Sequence, residues 1–155
     1  MGMDVYSVDG SEYFRANVWN WPVIMLLTEK VSPWVETSPM RYNDGKGLTP
    51  SDCVRLHDDL VRAWHDGSLR AAYDAYEKQR QSIPKVRCEL CDGTGTRADK
   101  IGVDLGYAQR QWCNGCDGTG SKDDYEAWYS TDWDHVVEWV EFVGKAAQHG
   151  GFEVW

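Results

Sequence analysis

The sequence predicts an α+β fold in which helices cover a short β-sheet formed by the chain termini, with a β-hairpin inserted late in the chain. Both ends alternate between apolar and polar residues, as strands do, whereas the middle has helical periodicity and clear helix-start signals. A cysteine-containing repeat interrupts this pattern between residues 85 and 121. We therefore expect an α+β core domain from residues 1–84 and 122–155, and a separate module from residues 85–121.

The terminal sheet is predicted from two segments. Met3–Val8 is predicted to form a strand that ends at a turn. Phe152–Trp155 shows the same alternation of apolar and polar residues. Pairing of Phe152–Trp155 with Val5–Val8 would bring the two termini together. The residues from 12 to 20 fit neither the strand period nor the helix period, and we leave them unassigned.

Four helices are predicted from periodicity and end signals. Thr49 is an N-cap with proline at the next position and an acid three residues later, and Thr131 with Asp134 repeats this capping box. Ser68 is predicted to cap a further helix. Residues 38–47, which precede the helix capped by Thr49, are expected to form a loop. The predicted helices, in chain order, are Val23–Val31, Pro50–Asp66, Leu69–Gln81 and a last helix that ends near Gln148.

The last helix has a narrow polar stripe and is otherwise largely apolar. Such a helix is buried on most sides. We expect it to lie in the core, with the alternative that Trp139 and Phe142 contact a partner.

The most specific motif is a repeated Cys-x-x-Cys-Asp-Gly-Thr-Gly. It begins at Cys88 and again at Cys113, so that Cys91 and Cys116 complete two close pairs. Two such pairs can close a tetrahedron of thiolates around one Zn²⁺. The first glycine after each pair stands where the chain leaves the turn and needs a positive φ, which lets backbone N–H groups point at sulfur.

A disulfide or four unrelated thiols would also produce cysteines, but neither requires the same tail behind both pairs. Because four cysteines fill every position around zinc, the predicted ion is structural and not a Lewis acid in a reaction. Cys53 stands apart on a predicted helix, where we expect a small core residue, with a reactive thiol as the alternative.

Charge and composition limit the function classes. Nine Trp, eight Tyr and three Phe supply an aromatic core, and the net charge of −9 disfavours a sequence-independent grip on nucleic acid. The sequence shows neither a secretory segment nor a membrane span, so we expect a cytoplasmic protein. It does not predict an oligomeric state.

Three candidate surfaces follow. An acidic and aromatic stretch, together with a ring on the last helix, is predicted to bind a partner protein: Asp123, Asp124, Glu126, Trp128 and Trp139. An enzyme alternative places a small-ligand pocket among Arg15, Trp19, Asn43, Asp44 and His57, although a hydrogen-bonded core histidine is the expected state of His57. A nucleic-acid alternative binds through the inserted hairpin, which is predicted to be zinc-ribbon-like, and uses the cations Lys85, Arg87, Arg97, Lys100 and Arg110.

The cysteine motif resembles the cysteine-rich domain of DnaJ-type co-chaperones over Arg87–Lys122. That resemblance implies zinc-ligand roles for the four motif cysteines. The family carries four repeats, two zinc ions and a J-domain with a His-Pro-Asp loop. This chain has two repeats and no His-Pro-Asp, so co-chaperone activity is not implied.

Most of the chain is similar to a group of uncharacterised bacteriophage and bacterial proteins. The shared features are a start like Met1–Tyr6, a segment like Glu12–Trp19, Tyr42–Gly45, the same cysteine turns and an end like Gly150–Val154. The resemblance implies a phage or prophage origin. We expect a zinc-stabilised, non-enzymatic protein that binds a host protein and blocks a defence or regulatory complex.

Overall fold

The computed structural model describes residues 2–155 and divides into two compact units. Met1–Gln79 and Tyr129–Trp155 form one, which we call the terminal unit, and Arg80–Trp128 form the other, the inserted unit. Within the described residues, five α-helices accompany a four-stranded antiparallel sheet and a two-stranded sheet. The predicted α+β class is therefore confirmed.

The terminal sheet has the strand order β2-β1-β6-β3. Its strands are β1 (Gly2–Ser7), β2 (Tyr13–Asn17), β3 (Lys46–Leu48) and β6 (Phe152–Val154). The predicted pairing of the termini is confirmed, since Val5 lies opposite Val154 and Ser7 opposite Phe152. The β6 strand is thus central, with β1 on one side and β3 on the other.

Two strands were not predicted. The unassigned segment contains β2, whose inward residues Phe14 and Ala16 are buried while Tyr13 and Arg15 point outward. The predicted loop over residues 38–47 instead holds a short 3-10 helix, Ser38–Arg41, and the start of β3. Both strands gain their hydrogen bonds from distant partners, which local periodicity does not reveal.

The helices of the terminal unit agree closely with prediction. They are α1 (Trp21–Val31), α2 (Pro50–His65), α3 (Ser68–Gln81) and α5 (Trp133–Ala146). The predicted cap of α2 is confirmed, because the Thr49 side chain accepts a hydrogen bond from the Asp52 N–H. The predicted capping box of α5 is wrong: Asp132, one residue later than Thr131, accepts from the His135 N–H at 2.7 Å.

The core of the terminal unit is built around two tryptophans. Trp139 on α5 meets Trp21 on α1 edge to face at 5.5 Å, and its indole N–H donates to Thr28 Oγ1. The Trp21 indole N–H donates to the Met40 carbonyl. Trp139 is 1% exposed and Phe142 4% exposed, so the alternative in which these rings contact a partner is wrong.

The α2 helix buries one face. Leu56 and Leu60 are buried, whereas Val54 and Trp64 are exposed. Cys53 is fully buried, and burial raises the pKa of its thiol to about 12. Its predicted core position is therefore confirmed.

The inserted unit has little regular structure. It contains β4 (Val86–Arg87), α4 (Lys100–Asp104), β5 (Ser121–Lys122) and a 3-10 helix, Tyr125–Trp128. The two short strands pair antiparallel at the base of the cysteine motif. Across residues 2–155, no helix is both long and apolar enough to cross a membrane.

Candidate metal centre

The two cysteine turns have the same internal hydrogen bonds. In the first, Gly93 N–H donates to the Cys88 carbonyl, and in the second Gly118 N–H donates to the Cys113 carbonyl, at 3.1 and 3.2 Å. Each threonine of the motif also donates its hydroxyl to the carbonyl of the second cysteine of its pair at 2.6 Å. The repeated sequence therefore folds into repeated local structure.

The backbone explains why the repeat is rich in glycine. Gly93 and Gly118 both have φ of 78°, which confirms the positive φ expected there. The preceding residues, Asp92 and Asp117, also have positive φ, of 53° and 50°. Aspartate tolerates this left-handed region better than most residues because its short polar side chain bonds locally.

The second glycine of each tail lets the two turns approach each other. A Cβ on Gly95 would lie 2.4 Å from the Gly118 carbonyl oxygen, and a Cβ on Gly120 would lie 2.3 Å from the Gly93 oxygen. The contact is reciprocal, so the two tails pack backbone against backbone. Only glycine fits at either position.

This packing places four buried sulfurs in one cluster. The Sγ atoms of Cys88 and Cys113 are 3.9 Å apart, those of Cys91 and Cys116 are 3.7 Å apart, and all four lie within 4.8 Å of one another. A disulfide would bring a pair to about 2 Å, and none is formed. A tetrahedron with metal–sulfur bonds of about 2.3 Å has edges of about 3.8 Å. The cluster can therefore hold one metal ion.

Backbone N–H groups surround the sulfurs. Gly95 donates to Cys91 Sγ at 3.3 Å, Gly115 to Cys113 Sγ at 3.4 Å and Gly120 to Cys116 Sγ at 3.2 Å. Two of these N–H groups belong to the second glycine of each tail and one belongs to Gly115, between the cysteines of the second pair; none belongs to the first glycine of a tail. Such N–H groups offset part of the negative charge that four thiolates concentrate around an ion.

Burial and these N–H groups act on the thiols in opposite directions. Burial raises the pKa of Cys113 to about 11. Burial also acts to raise the pKa of Cys91, but the Gly95 N–H and the neighbouring thiols outweigh it, and the value falls to about 7.

The buried Arg97 side chain connects two segments of the candidate metal centre through hydrogen bonds. Arg97 forms a bidentate pair with Asp99 at 2.7 and 3.1 Å and donates to the Asn114 side chain at 3.0 Å. Asp99 in turn caps α4 through the Gly102 N–H. Because Asn114 lies inside the second cysteine turn, this network ties the spacer between the pairs to that turn. Arg97 was predicted only as a cation of the nucleic-acid alternative, and the signal that could have revealed this network is Asp99 as a helix N-cap.

The cations of the nucleic-acid alternative are largely engaged. Arg97 is 9% exposed, Arg87 pairs with Asp92 at 2.8 Å, and Lys85 lies 3.6 Å from Asp123. Only Lys100 and Arg110 of this set have no ion pair among the described residues.

The residues of the enzyme alternative do not converge. An open groove of about 460 Å³ lies beside His57, lined further by Val54, Glu141, Gly144, Lys145, Ala147 and Gln148. Arg15, Trp19, Asn43 and Asp44 are not part of it. Arg15 lies on β2 beside Asp4, and the Asn43 amide donates to the Gly2 carbonyl. His57 packs against Gly144 and forms no hydrogen bond with the described residues, so the expected hydrogen-bonded state is wrong.

The predicted partner segment lies at the surface of the inserted unit. Trp128 is 48% exposed, and its neighbour in the 3-10 helix, Tyr125, is 57% exposed, with ring centroids 5.8 Å apart. Asp123 and Glu126 are exposed, and Asp124 is half-buried and accepts from the Glu126 N–H.

Comparisons of the chain with protein-family models, with curated proteins and with solved structures find no match. The candidate metal centre is therefore described from this chain alone.

Proposed function

We propose that this protein is a non-enzymatic binding protein whose inserted unit is held together by one structural Zn²⁺ on Cys88, Cys91, Cys113 and Cys116. The main support for the zinc site is the buried sulfur cluster, whose Sγ–Sγ distances of 3.7 and 3.9 Å match a tetrathiolate site. Thiolate ligands favour zinc among the metals that take tetrahedral geometry. Four protein ligands leave no position for a water molecule, so the ion supports structure and not a reaction.

The inserted unit has little else to stabilise it. Its buried cluster of core residues consists of the four cysteines alone. Structural zinc contributes about 10 to 16 kcal/mol of apparent binding free energy in peptide sites at neutral pH. That is comparable with the about 5 to 15 kcal/mol that stabilises a whole small domain. The proposed zinc thus supplies the stability that an apolar core supplies elsewhere.

Native mass spectrometry of protein purified without chelators tests the metal directly. One zinc per chain is expected, and replacement by Co²⁺ should give the thiolate absorption bands of a tetrahedral cobalt site. Cys88→Ser and Cys116→Ser should lose the metal, whereas Cys53→Ser serves as the control and should retain it. A chain that carries no metal, or an iron–sulfur cluster, contradicts the zinc proposal.

The proposed partner surface is the segment Asp123, Asp124, Glu126 and Trp128. Exposed rings among carboxylates are typical of contacts with basic protein surfaces. A host protein as partner, a phage or prophage origin and inhibition of a defence or regulatory complex are supported by the sequence resemblance alone.

Charge-reversal variants distinguish binding through this surface from binding that depends only on the net negative charge of the protein. Protein is immobilised and exposed to bacterial lysate, and stoichiometric partners are identified and then measured as purified proteins. Reversal of Asp123, Asp124 and Glu126 to Lys should abolish binding. The same reversal at three exposed acids elsewhere, Asp58, Glu89 and Asp104, should leave it intact. Equal loss in both variants would mean that net charge, not this surface, determines binding.

A further inference from the structure

The outer face of the terminal sheet is open. Alternation along the strands turns Val5, Phe14 and Val154 into the core. The rings on the opposite face are 40, 49 and 51% exposed, so no other element covers them: they are Tyr6, Tyr13 and Trp155. An uncovered aromatic face on a regular sheet is a candidate interaction surface.

The charges on this face do not balance. Asp4 accepts a hydrogen bond from the Tyr13 hydroxyl and lies 3.8 Å from Arg15, so its charge is matched. Glu153 lies on the central strand β6, directly opposite Tyr6 on β1. Its carboxylate has no hydrogen bond or ion pair among the described residues. One unmatched negative charge therefore lies in the middle of an aromatic surface.

A notch beside Glu153 is built into the backbone. Gly47 is the residue opposite Glu153 on β3, and a Cβ there would lie 1.7 Å from the Phe152 carbonyl oxygen. No side chain can therefore stand on that side of the carboxylate. Trp155 lies over the backbone of Gly45 on the same side, where a Cβ would be 2.7 Å from its ring. Glu153 is flanked by the Tyr6 ring on one side and by bare backbone on the other.

We propose that this sheet face docks an arginine side chain from a basic segment of a partner protein. The guanidinium pairs with the Glu153 carboxylate and stacks on the exposed rings of Tyr6 and Trp155. Guanidinium is preferred to ammonium because it is planar, weakly hydrated and able to lie flat on a ring while it donates to a carboxylate.

The same chain already uses this kind of contact. Arg55 lies over the Trp34 ring at 4.2 Å, and Arg70 lies over the Trp133 ring at 4.9 Å. Charge disfavours two other occupants of the face. A second copy would bring its own unmatched Glu153 to an equally negative face, and a nucleic acid would bring phosphates to a chain of net charge −9. The surface is independent of the proposed zinc centre and of the segment Asp123–Trp128.

Nuclear magnetic resonance of the ¹⁵N-labelled full chain tests the proposal. Short peptides whose only charged side chains are two arginines are titrated in, alongside matched peptides with lysine or with citrulline, which has the shape of arginine without its charge. The arginine peptide should shift the resonances of Tyr6, Glu153 and Trp155. The lysine peptide should bind at least about 3-fold more weakly, and the citrulline peptide at least about 10-fold more weakly.

Matched variants locate the contact. Glu153→Gln keeps the shape of the side chain and should weaken arginine-peptide binding about 5- to 10-fold, as should Trp155→Leu. Glu141→Gln, an exposed glutamate on α5, should leave binding unchanged. Shifts confined to other residues, unchanged affinity of Glu153→Gln, or saturable binding of an oligonucleotide to this face overturns the proposal. Concentration-dependent shifts of Tyr6 and Trp155 without peptide would identify a second copy as the occupant and overturn it equally.

Discussion

At the scale of single residues, the inserted unit depends on positions where a side chain has no room. Gly95 and Gly120 each face a carbonyl oxygen of the other cysteine turn, at distances no Cβ tolerates. Gly67, after α2, has a similar positive φ of 82° but open space around it. The three glycines therefore separate two effects: strain from φ and collision with a neighbour.

Gly95→Ala and Gly120→Ala should each destabilise the zinc-bound inserted unit by more than about 3 kcal/mol and weaken zinc binding. Gly67→Ala carries the same strain without a collision and should cost about 1 to 2 kcal/mol with zinc affinity unchanged. Zinc affinity by chelator competition and stability by urea unfolding give the comparison. Equal effects at all three positions would show that the two turns do not pack as described.

Ionisation of Asp59 stabilises the terminal unit. Its carboxylate accepts from the Trp34 indole at 2.9 Å, from Ser32 at 3.0 Å and from Arg62 at 2.9 Å. These hydrogen bonds, that of Trp34 first, lower the pKa of Asp59 below its ordinary value.

Asp59→Asn should lose about 1 kcal/mol of stability at pH 7, because the charged acceptor is replaced by a neutral one. The folded pKa lies below that of an unfolded aspartate, about 3.9. The stabilisation is therefore complete above about pH 4 and is lost as the pH falls through the lower, folded value. Urea unfolding at pH 7 and pH 3 should show the difference between wild type and variant shrinking, while the neighbouring Asp58→Asn changes little at either pH.

At the scale of elements, the ends of helices are set by single side chains. α5 begins after Asp132, not after Thr131, because the Asp132 carboxylate reaches the free His135 N–H. Thr131 is 8% exposed, and its carbonyl accepts from the Tyr73 hydroxyl. The threonine is thus fixed by α3, which leaves the cap to the next residue.

Asp132→Ala should destabilise the terminal unit by about 1 kcal/mol, since it removes the cap. Asp132→Asn keeps an acceptor at the same place and should retain most of the stability. Thermal unfolding of the two variants beside wild type measures this. An equal loss from Asn and from Ala would show that the charge of Asp132, and not its hydrogen bond, matters at this helix end.

At the scale of the whole molecule, two units have different sources of stability. The terminal unit buries a continuous apolar and aromatic core, whereas the buried cluster of the inserted unit is its cysteines. Removal of the proposed zinc should therefore unfold one unit and spare the other.

Chelation should expose four thiols to maleimide and remove hydrogen-exchange protection from residues 88–121. Cys53 should stay unlabelled, because it is fully buried and burial raises the pKa of its thiol to about 12. Amides of α2 and α5 should keep their protection. Labelling of all five cysteines at one rate would mean that the two units unfold together. The Cys53→Ala variant confirms which thiol is spared.

The cysteine cluster could be predicted because its information is local and repeated. Spacing within each pair fixes two sulfurs on one turn, and the identical tails indicate that both turns serve one centre. The second glycine of each tail was less obvious. Its importance comes from the other turn, at residues about 25 positions away, which no local pattern describes.

Helices α1, α2, α3 and α5 could likewise be predicted, because caps, proline and the spacing of apolar residues are signals carried by a few neighbouring positions. The β2 and β3 strands could not. Lys46–Leu48 forms a strand only because β6 supplies its hydrogen-bond partners. Trp139 is known to be buried only from the structure, in which Trp21 and Phe14 pack around it.

By itself, the sequence determined the α+β class, the joining of the termini and the four sulfurs, because each depends on residue type and short spacing. The tertiary structure alone decided which rings are buried, which cations are engaged and that Glu153 lies unmatched on an open sheet face. Those properties depend on neighbours that are distant in the chain. Such residues contact and stabilise one another only after folding has brought them together.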